Sequence, residues 1–193
     1  MNIQVPRGRN MTVEQYLEFE PKSPRRHEYL AGEVFEQIAG TPRHDAIATR
    51  MFAATRSHLE RAPWQTFMSD TKVRIKAPMR EYFYYPDLVV ISSPAWRAEG
   101  GEQARFVCSP TLIVEVVSPV TQNIDRREKA QMYRAIPTLE EYVLIAEEES
   151  EVTIRRRSEN WQPVTYNALE DIAQLQSIGL SLPLGLVYED LPV

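Results

Sequence analysis

The sequence predicts one α/β domain built on a mixed β-sheet flanked by helices. Three observations lead there. The length of 193 residues fits one domain and leaves little room for two. Hydrophobic residues at 43% supply a core, and charged residues at 25% supply an ordinary water-facing surface. The predicted elements run helix, hairpin, helix, strands, apolar central strand, helix, strands, an order that suits a sheet covered by helices. Residues 1–10 are expected to be an N-terminal tail and residues 11–193 the domain.

The elements follow from local chemistry. Residues 11–20 read as a short helix, because Thr12 and Gln15 have capping-box spacing. Arg26–Glu36 reads as two short strands about an Ala31-Gly32 turn. Gly40-Thr41-Pro42 breaks the chain before a long helix over 42–61. Ile47, Met51, Phe52, Thr55 and Leu59 form its inward stripe, and His44 shares that face. Residues 64–77 and 82–91 read as strands joined around Pro78, and residues 93–109 as a variable loop. Thr111–Val117 (TLIVEVV) is a nearly unbroken apolar run, as expected of a central strand covered on both faces. A helix over 124–136 and strands over 142–146 and 152–156 follow. The tail SIGLSLPLGLVYEDL reads as a short packed segment and turn.

Composition excludes several function classes. The formal net charge of −5 argues against a protein that lives on nonspecific attraction to phosphate, but leaves room for a local basic rim. The single Cys108 rules out an internal disulfide framework and a cysteine zinc cluster. No stretch has the length of apolar sequence that a membrane helix needs, and the first residues lack the apolar core of a signal peptide. A cytoplasmic location without membrane partners is the expectation.

Three residues break local rules, and broken rules are where function tends to sit. Glu115 lies inside TLIVEVV, where a carboxylate loses hydration unless it is paired or metal-bound. Alternation puts it with Ile113 and Val117 on one face, and Val114 and Val116 on the other. A buried salt bridge is the plain alternative. Asp87 follows Pro86, which is awkward inside a strand and marks an edge, bulge or bend. An ordinary turn is the alternative there, and Asp87 gains weight from its pairing with Glu115. Lys129 shares the apolar face of its helix with Tyr133 and Ile136, so it needs an acidic partner. The alternative is an i,i+4 helix pair with Asp125. Two carboxylates on neighbouring strands with a nearby lysine suit Mg²⁺ or Mn²⁺ and the hydrolysis of a phosphate ester.

These residues carry a resemblance. Pro86-Asp87, Glu115-Val116-Val117-Ser118-Pro119, Asp125, Lys129, Tyr133 and Glu141-Tyr142 resemble the Uma-type endonuclease family, formerly a domain of unknown function. His27–Glu33, His44 and Leu182-Pro183-Leu184 extend the resemblance, which covers about residues 11–190. The family belongs to the restriction-endonuclease-like superfamily, with its PD-(D/E)xK motif. The resemblance implies that fold, with an N-terminal helix and hairpin. It implies an Mg²⁺-dependent endonuclease that hydrolyses DNA phosphodiester bonds with a metal-activated water. Asp87 and Glu115 would be metal ligands, with the Val116 carbonyl as a third. In the superfamily the lysine usually stands two residues after the glutamate. Here that position is Val117, and Lys129 would serve from the next helix, an arrangement the family shows. Ala31 replaces an aspartate frequent in the family.

Glu28, His44, Asp125 and Tyr133 are supporting candidates. His44 reads as a general base or as a packed histidine bonded to backbone. Arg126 and Arg127 lie beside the site and are the candidate phosphate contacts. DNA is the expected substrate, and a homodimer is compatible with cutting two strands. Two alternatives stay open: a catalytically silent nuclease-like binding or regulatory module, and a metal-dependent hydrolase of another phosphate ester.

Overall fold

The structure, a computed structural model, describes residues 9–37, 39–119 and 124–191. Strand β1 (Arg9–Asn10) and helix α1 (Val13–Phe19) come first. The hairpin β2 (His27–Leu30) and β3 (Glu33–Glu36) follows, then α2 (Pro42–His58). Four strands come next: β4 (Trp64–Met68), β5 (Val73–Ala77), β6 (Arg80–Tyr84) and β7 (Leu88–Ser92). Helix α3 (Ser93–Ala98) and strand β8 (Leu112–Val117) lead to a helical segment ending in α4 (Ala130–Tyr133). The chain closes with β9 (Glu141–Ala146), β10 (Val152–Arg156), β11 (Pro163–Tyr166), β12 (Ile172–Leu175), β13 (Leu180–Pro183) and α5 (Leu184–Tyr188).

The central sheet has six strands in the order β11-β10-β9-β8-β7-β4. It is mixed: β8 and β9 run parallel, and their neighbours are antiparallel. Parallel neighbours need a crossover, which the helical segment before β9 supplies. On one face Leu88, Val90, Val114 and Val116 pack with Ile47 and Met51 of α2. On the other, Val89, Ile113 and Val117 pack with Val73 and Ile75 of β5, Tyr84 of β6 and Tyr133 of α4. The all-buried pattern of β8 is what its apolar sequence requires. Among the described residues no helix is long and apolar enough to cross a membrane.

Several boundaries differ from the sequence expectation. Arg9 and Asn10 pair with Val34 and Glu33, so the folded sheet starts before residue 11. The two long strands expected over 64–91 are four strands shared between two sheets. The chain breaks at Ser69-Asp70 and again at Tyr85-Pro86-Asp87. Strands β5 and β6 join the hairpin in a second sheet, order β1-β3-β2-β6-β5. Pro86 therefore marks the corner where the chain passes from one sheet to the other. Part of the expected 93–109 loop is α3, capped by Ser92 with Pro94 in its first turn. Helix α2 stops at His58, three residues before its expected end. The expected helix over 124–136 is a π-helical turn over Ile124–Lys129 running into α4, which ends before the Ile136-Pro137 step disfavours helix.

Candidate active site

The corner geometry decides where Asp87 points. Its Oδ2 accepts the Val116 N–H at 2.7 Å, so the side chain caps the strand beside Glu115. The carboxylate is 6% exposed and meets His44 Nε2 at 3.3 Å. His44 comes from the first turn of α2, where Thr41 accepts its backbone N–H. Burial opposes a proton on its imidazole, but the hydrogen bond and charge of Asp87, then those of Asp45, outweigh burial and raise its pKa. Because the folded value lies above the ordinary 6.5, the stabilisation is fully present below 6.5 and is lost as pH rises through the raised value. In His44→Gln that part of the pH dependence is expected to vanish. Urea midpoints of both metal-free proteins from about pH 5 to 9 check this, and parallel curves would overturn it.

Glu115 is only 4% exposed. Its Oε1 accepts from Lys129 Nζ at 3.2 Å and from the Tyr133 hydroxyl at 2.9 Å. Lys129 Nζ also stands 3.1 Å from Glu28 Oε1 of β2 and 5.5 Å above the Tyr84 ring. The Glu28 contact is an ion pair whose angles fall short of a hydrogen bond. Burial first, and then the Glu115 charge, raises the Tyr133 pKa well above that of an ordinary phenol. The hydroxyl therefore keeps its proton and stays a donor.

The structure thus joins Lys129 directly to Glu115 and joins Asp87 to the same strand end through the Val116 backbone. Glu28, His44 and Tyr133 touch one or another member of that group. The Asp125 and Arg126 side chains lie outside the described residues, and Arg127 is exposed. Val117 is locked in the apolar core, so a charge at that position would have no room in water. Ala31 has φ 53°, in the left-handed region that short polar side chains tolerate better than alanine does.

Sequence reasoning missed three features. The Tyr84 ring under Lys129 arises from the second sheet, which no local pattern announced. Glu147 accepts the hydroxyl of Thr41, the N-cap of α2, and Gly40 leaves no room for a Cβ beside the His44 ring. The signal for the α2 contact was present in Thr41, which stands three residues before His44 and directly before Pro42, as an N-cap does.

Among the described residues no three His, Cys, Asp or Glu side chains converge as a ready metal cage. The donor chemistry nevertheless fits a hydrated hard cation. Asp87 and Glu115 offer carboxylate oxygens, and Mg²⁺ takes one or two of these and keeps several waters. The buried Asp87 and Glu115 and the partly covered Glu28 bring three carboxylates up to Lys129 and His44.

A profile of the family described as "Uma2: Putative restriction endonuclease" matches residues 13–185. The chain belongs to the Uma2 family. The uncharacterized protein slr1290 of Synechocystis sp. is 29% identical over 183 residues, covering 94% of this chain and 93% of that protein. A second Synechocystis protein, sll1609, is 27% identical over 135 residues, covering 70% of this chain and 74% of its own. Among solved structures, the crystal structure of a "putative nuclease belonging to DUF820" from Anabaena variabilis superposes with a TM-score of 0.78. It is 18% identical and covers 94% of this chain and 99% of that one, so the likeness is one of fold. The Uma2 chain has the mixed central sheet flanked by helices that the family resemblance implies.

Proposed function

We propose that this Uma2 protein is an Mg²⁺- or Mn²⁺-dependent endonuclease that hydrolyses DNA phosphodiester bonds. One observation carries the reading. Lys129 reaches Glu115 from the following helix and supplies at that carboxylate the cation that Val117 cannot. Asp87 and Glu115, with the Val116 carbonyl, would hold the metal. Such an ion supplies Lewis acidity toward phosphate and lowers the pKa of a water.

The chain's own groups do the rest. Lys129, held between Glu28 and Glu115, presents a fixed ammonium to the charge that develops on the phosphate. Tyr133 keeps its proton and fixes Glu115 by donating to it. His44 holds Asp87 against the Val116 N–H. Arg126 and Arg127 are the candidate phosphate contacts, and Arg127 is exposed. A cytoplasmic setting and a homodimer that cuts both strands accompany this reading.

A second reading is a nuclease-like module that binds without cutting, since the lysine that the superfamily usually carries two residues after the glutamate is Val117 here. Recognition through carboxylates, metal and lysine reads phosphate and not base, so another phosphate ester is the third. An assay on supercoiled, linear and single-stranded DNA separates them. The wild type is expected to cut with Mg²⁺ or Mn²⁺ and not with chelator. Asp87→Ala and Glu115→Ala are expected to cut at least about 10²-fold more slowly. Robust cutting by both variants, or none by the wild type, sinks the endonuclease reading.

A further inference from the structure

We infer that Glu147 and Thr41 are positioning residues that set Asp87 through His44. Glu147 stands just past β9, is only 5% exposed, and has no part in the mechanism above. A buried carboxylate needs partners to offset lost hydration. Its backbone N–H donates to the Val117 carbonyl at 2.9 Å. Its carboxylate accepts the Thr41 hydroxyl, and Arg43 Nε donates to its carbonyl.

Thr41 is the N-cap of α2 and accepts the His44 N–H at 3.1 Å. His44 Nε2 meets Asp87 Oδ2 at 3.3 Å, and that oxygen accepts the Val116 N–H at 2.7 Å. The path leaves β8 at Val117 and returns to β8 at Val116, closing a ring through β9, α2 and the Pro86 corner. Gly40 completes the seat: a Cβ there would stand 2.7 Å from His44 Nδ1 and 3.0 Å from its Cγ. Outer partners of this kind fix the orientation of a ligating side chain.

The consequence for metal binding rests on the nuclease reading; the ring does not. The test compares Glu147→Ala, Glu147→Gln, Thr41→Val and Thr41→Ser. Glutamine and serine keep the acceptor and the hydroxyl that the ring uses. The first readout is the imidazole ¹H–¹⁵N spectrum of the metal-free protein, in which His44→Gln assigns one of three histidines. The second is Mn²⁺ affinity by calorimetry. Glu147→Ala and Thr41→Val are expected to shift the His44 signals and weaken Mn²⁺ about tenfold. Glu147→Gln and Thr41→Ser are expected to match the wild type. Unmoved His44 signals in the first two variants, or a Glu147→Gln protein that behaves as Glu147→Ala, overturn the inference. A wild type that binds no Mn²⁺ defeats the nuclease reading instead, and the spectra still decide the ring.

Discussion

Lys129→Met is expected to slow DNA cleavage by at least about 10²-fold, the usual effect of removing one fixed charge that stabilises a transition state. Methionine keeps an apolar chain of similar length and removes the ammonium. That ammonium lies within 3.2 Å of Glu115 Oε1 and 3.1 Å of Glu28 Oε1. Its loss therefore also leaves two largely buried carboxylates without their shared counterion, so a urea melt belongs beside the rate measurement. Lys129→Arg is expected to recover activity only in part, because a planar guanidinium does not replace a compact ammonium. A folded Lys129→Met protein that cuts at the wild-type rate would remove Lys129 from the mechanism.

Arg156→Met is expected to lower folding stability by about 3–5 kcal/mol, the typical cost of stranding one partner of a buried ion pair. Arg156 Nε donates to Glu141 Oε1 at 2.9 Å, and its Nη2 donates to the Gln174 carbonyl at 2.7 Å. Glu141, 1% exposed, also accepts the backbone N–H groups of Gln176 and Ser177 and the Ser177 hydroxyl. The pair thus pins the β12–β13 turn to the start of β9 and the end of β10 in the central sheet. Chemical denaturation checks this, and Glu141→Gln combined with Arg156→Met should regain part of the loss. An unchanged midpoint in the single variant would show that the turn is held by other contacts. Glu141 was among the residues that carried the family resemblance, and its described contacts give it a structural task.

Residues whose own neighbours make them anomalous were legible in the sequence. Glu115 stood out because every residue beside it is apolar, and its burial against Lys129 and Tyr133 follows from that. Lys129 and Tyr133 were placed together by a spacing of four, which survives the change to a wider helical turn before α4. Pro86 announced a break, and the break is the corner between two sheets. The partition into two sheets was not legible. The turn at Ser69-Asp70 lacks glycine and proline, so β4 and β5 read as one strand. Glu147 was hidden for another reason. It opens the run Glu147-Glu148-Glu149, which has the composition of a solvated turn, yet it is buried and accepts the Thr41 hydroxyl from the N-cap of α2. Long-range contacts of this kind leave no periodic mark on either segment.

Calorimetric titration of the metal-free protein with Mn²⁺ tests the central claim most directly, because it asks whether Asp87 and Glu115 act together on a cation. A saturable site is expected in the wild type, weakened about tenfold or more in both Asp87→Asn and Glu115→Gln. No binding by the wild type, or equal affinity in all three proteins, would contradict it.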